Sequence, residues 1–233
     1  MTHTFTYDGH KSTEFGLVIS GAATYGAPCR DIQQIQVPGR SGDVIIDNGR
    51  YANTSITYRC AIMRNASVNL PAARDFFMSR SGGYYRLTDD YRPDEYRMVR
   101  VSDVFSPTVF NASYAVFDLT FDADPRRFLI SGETPITVAA GATITLTNPT
   151  WDAALPIITV TAPGTVTIGT VSLTAAEAMT IDCDTQDAYS GNENKNSSLT
   201  IPGLEFPVLA SGDTAVTNST SDSITITPRW WRL

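Results

Sequence analysis

Val37-Pro38-Gly39-Arg40-Ser41-Gly42-Asp43 runs directly into Val44-Ile45-Ile46-Asp47-Asn48-Gly49-Arg50-Tyr51. The first seven residues are turn chemistry, with one proline to preset φ and two glycines to accept φ values that other residues avoid. Residues 44–46 form a short apolar run. Asn48-Gly49 is a pair that suits a tight hairpin turn. An apolar run held between such turns reads as an arm that needs a surface to bury against. That surface is either another chain or the sheet of the arm's own domain.

On both sides of this arm the chain reads as strands. Phe5 and Tyr7 alternate with polar residues, and 15–20 is a short apolar run after the turn Gly9-His10-Lys11. Between 54 and 63, Ile56, Tyr58, Cys60 and Ile62 share one face while Thr57 and Arg59 take the other, the pattern of a half-buried strand. Ala115, Phe117, Leu119 and Phe121 repeat it over 113–122. Pro125 is expected to end that strand, because it brings no N–H to the ladder. Leu70, Ala73, Phe76 and Phe77 are spaced for a helix over 70–80, with Asn69 as N-cap, Pro71 in the first turn and Gly82-Gly83 as the stop. Strands at 84–87 and 96–101 then flank a charged loop, 89–95. This loop reads as a solvated hairpin tip, a cation site being the alternative.

Composition sets the frame for these elements. The chain has 233 residues, 42% hydrophobic and 18% charged. That is enough apolar material for a core, in one large or two ordinary domains, and too little charge for a disordered chain. Residues 1–130 carry 14 Lys+Arg and 14 Asp+Glu, whereas 131–233 carry 3 and 10, so the whole net charge of −7 lies in the second part. The change of character places a domain boundary near 130. An acidic half is a poor phosphate binder. Beyond the boundary, short strand signals at 142–147, 155–161, 165–168, 171–173, 179–181 and 224–227 are separated by Gly, Pro, Asn and Asp. They predict an antiparallel sandwich of roughly 100 residues.

Chemistry is not advertised. His3 and His10 are the two histidines, and no nucleophile elbow, phosphate loop or dinucleotide fingerprint occurs. Cys29, Cys60 and Cys183 are odd in number and lack metal-ligand spacing, so they read as free thiols of a protein folded in a reducing cytoplasm. The first residues do not look like a secretion signal. Asp182 and Asp184 would share a strand face and offer a hard cation two carboxylates, against the simpler reading of solvated acids. Adjacent Trp230 and Trp231 would point to opposite faces. Core and inter-domain packing is the simpler reading for them, and sugar stacking by the outer one the alternative. No catalytic residue, cofactor site or metal site is assigned, and an enzyme is not expected.

Several of these segments resemble siphophage distal tail (Dit) proteins. They are Phe5-x-Tyr7-x-Gly9 with residues 12–18, the 37–43 motif followed by Asp47-x-Gly49-x-Tyr51, the helix with Tyr85-Arg86-Leu87 and Tyr96-Arg97, and in the second part Asn148-Pro149, Pro156-Ile157-Ile158, Ile181-Asp182, Phe206-Pro207-Val208-Leu209, Gly212 and Pro228-Arg229-Trp230-Trp231. Their order covers nearly the whole chain. The resemblance implies a mainly β fold: an N-terminal β-sandwich (1–130) with one helix and a protruding hairpin arm or belt, and a C-terminal galectin-like antiparallel sandwich (131–233). It implies a hexameric ring, single or stacked, at the distal end of the virion's tail. That ring joins the tail tube to a lysin-like tail-tip hub protein, anchors receptor-binding or accessory baseplate proteins for host attachment, and leaves a channel through which DNA passes without specific binding. No membrane insertion is implied, and the chain is short for the family. The belt, about 35–51, would place Ile35, Val37, Pro38, Gly39, Arg40, Val44, Ile45, Ile46, Asn48, Gly49 and Tyr51 at the oligomer interface. A carbohydrate-binding module acting through the C-terminal part is the second reading.

Overall fold

The structure, a computed structural model, describes residues 2–80, 82–102 and 105–233. Among the described residues it is mainly β, with one α-helix. Chain contacts divide it into two units: the residues up to Arg127 together with Leu233, and Phe128–Arg232.

The first unit begins with β1 (Phe5–Tyr7), β2 (His10–Lys11), β3 (Leu17–Tyr25), β4 (Arg30–Ile35), β5 (Val44–Tyr51) and β6 (Thr54–Ile62). Helix α1 (Ala66–Ser79) follows, then β7 (Tyr85–Asp89), β8 (Glu95–Val101), β9 (Thr108–Val109) and β10 (Ala115–Leu129). The main sheet has the order β2-β1-β7-β8-β10-β6-β3. It folds over on itself, since Ile19 of β3 bridges to His3 just ahead of β1. Alternation decides what faces inward. Ile56, Tyr58, Cys60 and Ile62 of β6, and Ala115, Phe117, Leu119 and Phe121 of β10, are all buried. The two strands pair antiparallel, Phe117 opposite Cys60 and Phe121 opposite Ile56. Phe5, Tyr7, Tyr58, Phe77 and Phe121 form an aromatic cluster with ring centres 5.3–6.3 Å apart. Such pairs add about 0.5–1.5 kcal/mol each beyond the area they bury.

Two local expectations are corrected here. The helix starts at Ala66 rather than 70, with Asn65 at the cap position in a left-handed conformation (φ 53°) and no side-chain cap. The first-turn donors are met by tertiary contacts instead: Ala66 and Ser67 donate their N–H groups to the carbonyls of Ser113 and Ala112. Pro71 therefore lies in the second turn, and Asn69, one turn inside, donates its amide to the Arg64 carbonyl at 3.1 Å. Strand β10 does not stop at Pro125. Its pairing with β6 ends at Ala123–Thr54, so Pro125 sits where no donor is asked for on that side.

The second unit holds β11 (Ile136–Val138), β12 (Thr143–Asn148), β13 (Ile157–Val160), β14 (Gly164–Ile168), β15 (Val171–Ala175) and β16 (Met179–Asp182). It continues with β17 (Asp187–Ser190), β18 (Glu193–Asn194), β19 (Leu199–Thr200), β20 (Gly212–Thr220), β21 (Ile224–Thr227) and β22 (Trp231–Arg232). Two antiparallel sheets, β11-β21-β13-β16-β17-β18 and β12-β20-β14-β15-β19, enclose a core that includes Ile158, Val166, Ile181, Val216, Ile226 and Trp230.

Candidate functional site

Strands β4 and β5 form a two-stranded sheet of their own, outside the main sheet. The turn between them is the 37–43 segment. Arg40 N–H donates to the Val37 carbonyl at 3.1 Å and Gly39 has φ +80°, which is a type II turn with Pro38 in the position that proline presets. Asn48-Gly49 is not the hairpin turn. Arg30 pairs with Tyr51 and Ile32 with Asp47, so β5 carries two more residues than β4 over that span. Asn48 and Gly49 fall in this bulge, with Gly49 at φ +74°. Polar contacts hold the bulge: Gly49 N–H and Arg30 Nε donate to Asp47, and Asn48 Nδ2 and Arg50 Nε donate to Asp31. Both carboxyls are held below the usual aspartate value, Asp47 first by the Gly49 N–H and then by Arg30, Asp31 first by Arg50 and then by Asn48.

Alternation and register sort the arm's side chains onto two faces. Ile32 and Ile45 lie on one, and Ile35, Val44 and Ile46 on the other. The four isoleucines are 38–62% exposed, and Val37 is 40% exposed. The arm's own main sheet therefore does not cover it, and apolar surface remains on both faces. An isolated two-stranded hairpin is marginal in water. Completing the burial of a half-exposed isoleucine is worth roughly 1 kcal/mol.

The expected candidates in the second unit sit differently. Trp230 is buried in the core, and Trp231 packs against the same core while donating its indole N–H to the Ala153 carbonyl at 3.0 Å. Trp230, 6% exposed, presents no ring face for a sugar, and Trp231 is half-buried. Asp182 is no cation site: Arg229 grips both its oxygens at 2.6 and 3.1 Å. Burial raises the Asp182 pKa, but Arg229 and the Asp184 N–H outweigh it and hold the carboxyl below its usual value. Among the described residues no group of three His, Cys, Asp or Glu is placed to hold a metal ion. The 89–95 loop is a hairpin tip with Asp90, Tyr91, Pro93 and Asp94 exposed, but its two ends are not solvated. Asp89 accepts the hydroxyls of Tyr25 and Tyr58 at 2.7 and 2.5 Å, and Glu95 is 5% exposed.

An exposed tryptophan that alternation does not single out lies elsewhere. Trp151 is 94% exposed, in the turn after β12. Asn148-Pro149-Thr150-Trp151-Asp152 has a twin at the end of β20, Asn218-Ser219-Thr220-Ser221-Asp222. In the first, buried Asn148 donates to the carbonyls of Asp152 and Leu209, and accepts from Thr150 N–H and Oγ1. In the second, buried Asn218 donates to the carbonyls of Asp222 and Ala139, and accepts from Thr220 N–H and Oγ1. Exchanging β12 with β20 about the Thr145–Ala215 pair superposes one set of residue roles on the other. Where one turn carries Trp151 the other carries Ser221, so the turn does not need the indole to fold. Leu209 ties this turn to the 201–211 loop through two backbone hydrogen bonds with Ala154, and that loop exposes Leu204 (89%) and Val208 (42%).

No protein-family model matches the chain, and no curated protein matches it. Among solved structures it is similar to the crystal structure of the Dit protein (gp 19.1) of phage SPP1, described as a paradigm of hub adsorption apparatus in phages that infect Gram-positive bacteria. The TM-score is 0.72 at 11% sequence identity, and the match covers 100% of both chains. From first unit to second, the chain has the Dit fold.

Proposed function

We propose that this chain is a structural component of a phage tail tip, a ring subunit at the distal end of the tail. The observation that carries the reading is the β4–β5 arm, which leaves apolar side chains uncovered on both faces in a chain with the Dit fold. A second copy of the chain supplies the missing cover. Repeated head to tail, such a contact closes a ring when its rotation permits, six-fold in this reading. Ile35, Val37, Val44, Ile45 and Ile46 are then buried between subunits, the Pro38-Gly39-Arg40 turn reaches the neighbour, and the Asn48-Gly49 bulge and Tyr51 fix the arm's root. The ring joins the tail tube to the tail-tip hub protein and leaves a channel for DNA. The acidic second unit, read as galectin-like, anchors a receptor-binding or accessory baseplate protein. Exposed Trp151, Leu204 and Val208 supply the apolar contact for that anchoring. The role is assembly, without turnover.

The test is oligomeric mass and particle images of the full chain, with and without the neighbouring tail proteins. Six-fold rings support the reading. A strict monomer that also fails to join the tail tube sinks it. Deletion of residues 38–49 is expected to leave both units folded and to abolish the ring.

Trp151 also favours a second reading, a module that stacks the indole on a cell-wall sugar. If the full chain binds host polysaccharide and Trp151→Ser abolishes that binding, this second reading gains. If the full chain binds no host polysaccharide, it fails.

A further inference from the structure

We propose that the first unit carries a binding site for a small oxyanion at the root of the arm, centred on Arg97. Strand β8 points Glu95, Arg97, Val99 and Val101 inward, and all four are buried. An apolar residue would fit that face at position 97. Instead a guanidinium lies there, 7% exposed. Two further arginines converge on it. Arg92 and Arg97 place their guanidinium carbons 4.6 and 5.7 Å from the Tyr25 ring centre. Arg92 and Arg127 share Glu95 at 3.8 and 3.5 Å, and Arg127 also donates to the Leu233 carbonyl. Asp89 is engaged by the hydroxyls of Tyr25 and Tyr58 and by the N–H groups of Tyr91 and Arg92.

Three guanidinium groups thus meet in one place, beside the carboxylates of Asp89 and Glu95 and the main chain of Leu233. Arg97 Nη1 is buried and has no hydrogen-bond partner among the described residues. Burial first, then the nearby Arg127 and Arg92, hold its pKa below the usual arginine range. The open cavity that these three arginines border has about 180 Å³ and is lined also by Tyr25, Pro125, Leu233 and the 26–28 connection that leads into β4. Guanidinium N–H pairs match two oxygens of a carboxylate or phosphate. One such anion satisfies the orphaned donor and ties β8 and β10 to the root of the arm. This site does not depend on the ring reading.

The experiment is thermal melting of the full chain in sodium phosphate, sodium acetate and sodium chloride at equal ionic strength. A saturable rise of about 4 °C over chloride is expected for an oxyanion at ten times its dissociation constant. A larger rise with phosphate marks a tetrahedral ligand, and a larger rise with acetate marks a carboxylate; either supports the site. Arg97→Met is expected to remove the rise. Should that variant not fold, Arg92→Gln, on the rim at 38% side-chain exposure, serves instead and is expected to weaken binding at least tenfold. No rise over chloride, or a full rise retained in the folded variants, overturns the proposal.

Discussion

Strands β5 and β6 are neighbours in sequence, both carry isoleucines, and they meet opposite fates. Ile56 and Ile62 of β6 are no more than 1% exposed, whereas Ile45 and Ile46 of β5 are 62% and 44% exposed. Composition does not separate them. What separates them is the partner. Strand β6 lies between β3 and β10 and has a folded sheet over its inner face, while β5 has β4 on one edge and, among the described residues, no second layer. The same side chain is core in one strand and an unmet contact in the next.

The largest effects on folding should come from the covered side. Phe121→Ala leaves a cavity in the aromatic cluster and is expected to cost about 3–5 kcal/mol by denaturant titration. A loss under 1 kcal/mol would mean that this cluster is looser than its ring distances imply. Next is Asn218→Ala. It strands the buried Val138 carbonyl and the buried Thr220 donors, at about 1–3 kcal/mol. Asn148→Ala should cost a similar amount, because the twin turn makes the same bonds; a tenfold smaller cost would break the equivalence. On the uncovered side, Ile45→Ser with Ile46→Ser should move monomer stability by less than about 0.5 kcal/mol each while lowering oligomer mass. A large loss of monomer stability would show that the arm belongs to its own core.

Two smaller effects sharpen the same contrast. Burial pushes the thiols of Cys60 and Cys183 up to about 12, whereas Cys29, just before the arm, is exposed. Alkylation of the native chain at pH 8 should modify Cys29 alone, and all three cysteines only after unfolding. Asp31 and Asp47 are held below the ordinary aspartate value of 3.8, so their support of the bulge is fully present above that value. It is lost as pH falls through their lower folded values. The amide signal of Gly49, which donates to Asp47, should shift in that acidic window and not between pH 5 and 8.

Much of this was legible in the sequence. Period-two alternation marks β6 and β10 residue by residue, since each strand has one covered face and the pleat repeats every second residue. The turn at 37–43 is legible too, because Pro38-Gly39 suits few backbone shapes. Strand β20 was not legible. Its inward positions are Thr214, Val216, Asn218 and Thr220, and buried polar residues give no hydrophobic rhythm. Trp151 gives no periodic signal because it stands alone in a turn. The repeated Asn-x-Thr-x-Asp does mark that turn, though only the hydrogen bonds show that the two copies are equivalent.

The sequence by itself determined which residues alternate, where the chain turns and that the apolar run at 44–46 needs a cover, because these follow from side-chain type and covalent geometry over a few residues. Only the tertiary structure decided the rest. It set the start of α1, because its first donors are met by carbonyls far along the chain. It carried β10 past Pro125, because the strand opposite had already ended. It moved Asn48-Gly49 from a turn to a bulge, because pairing with β4 fixed the register. And it left the arm uncovered, because burial depends on which surfaces meet, which no local stretch of sequence specifies.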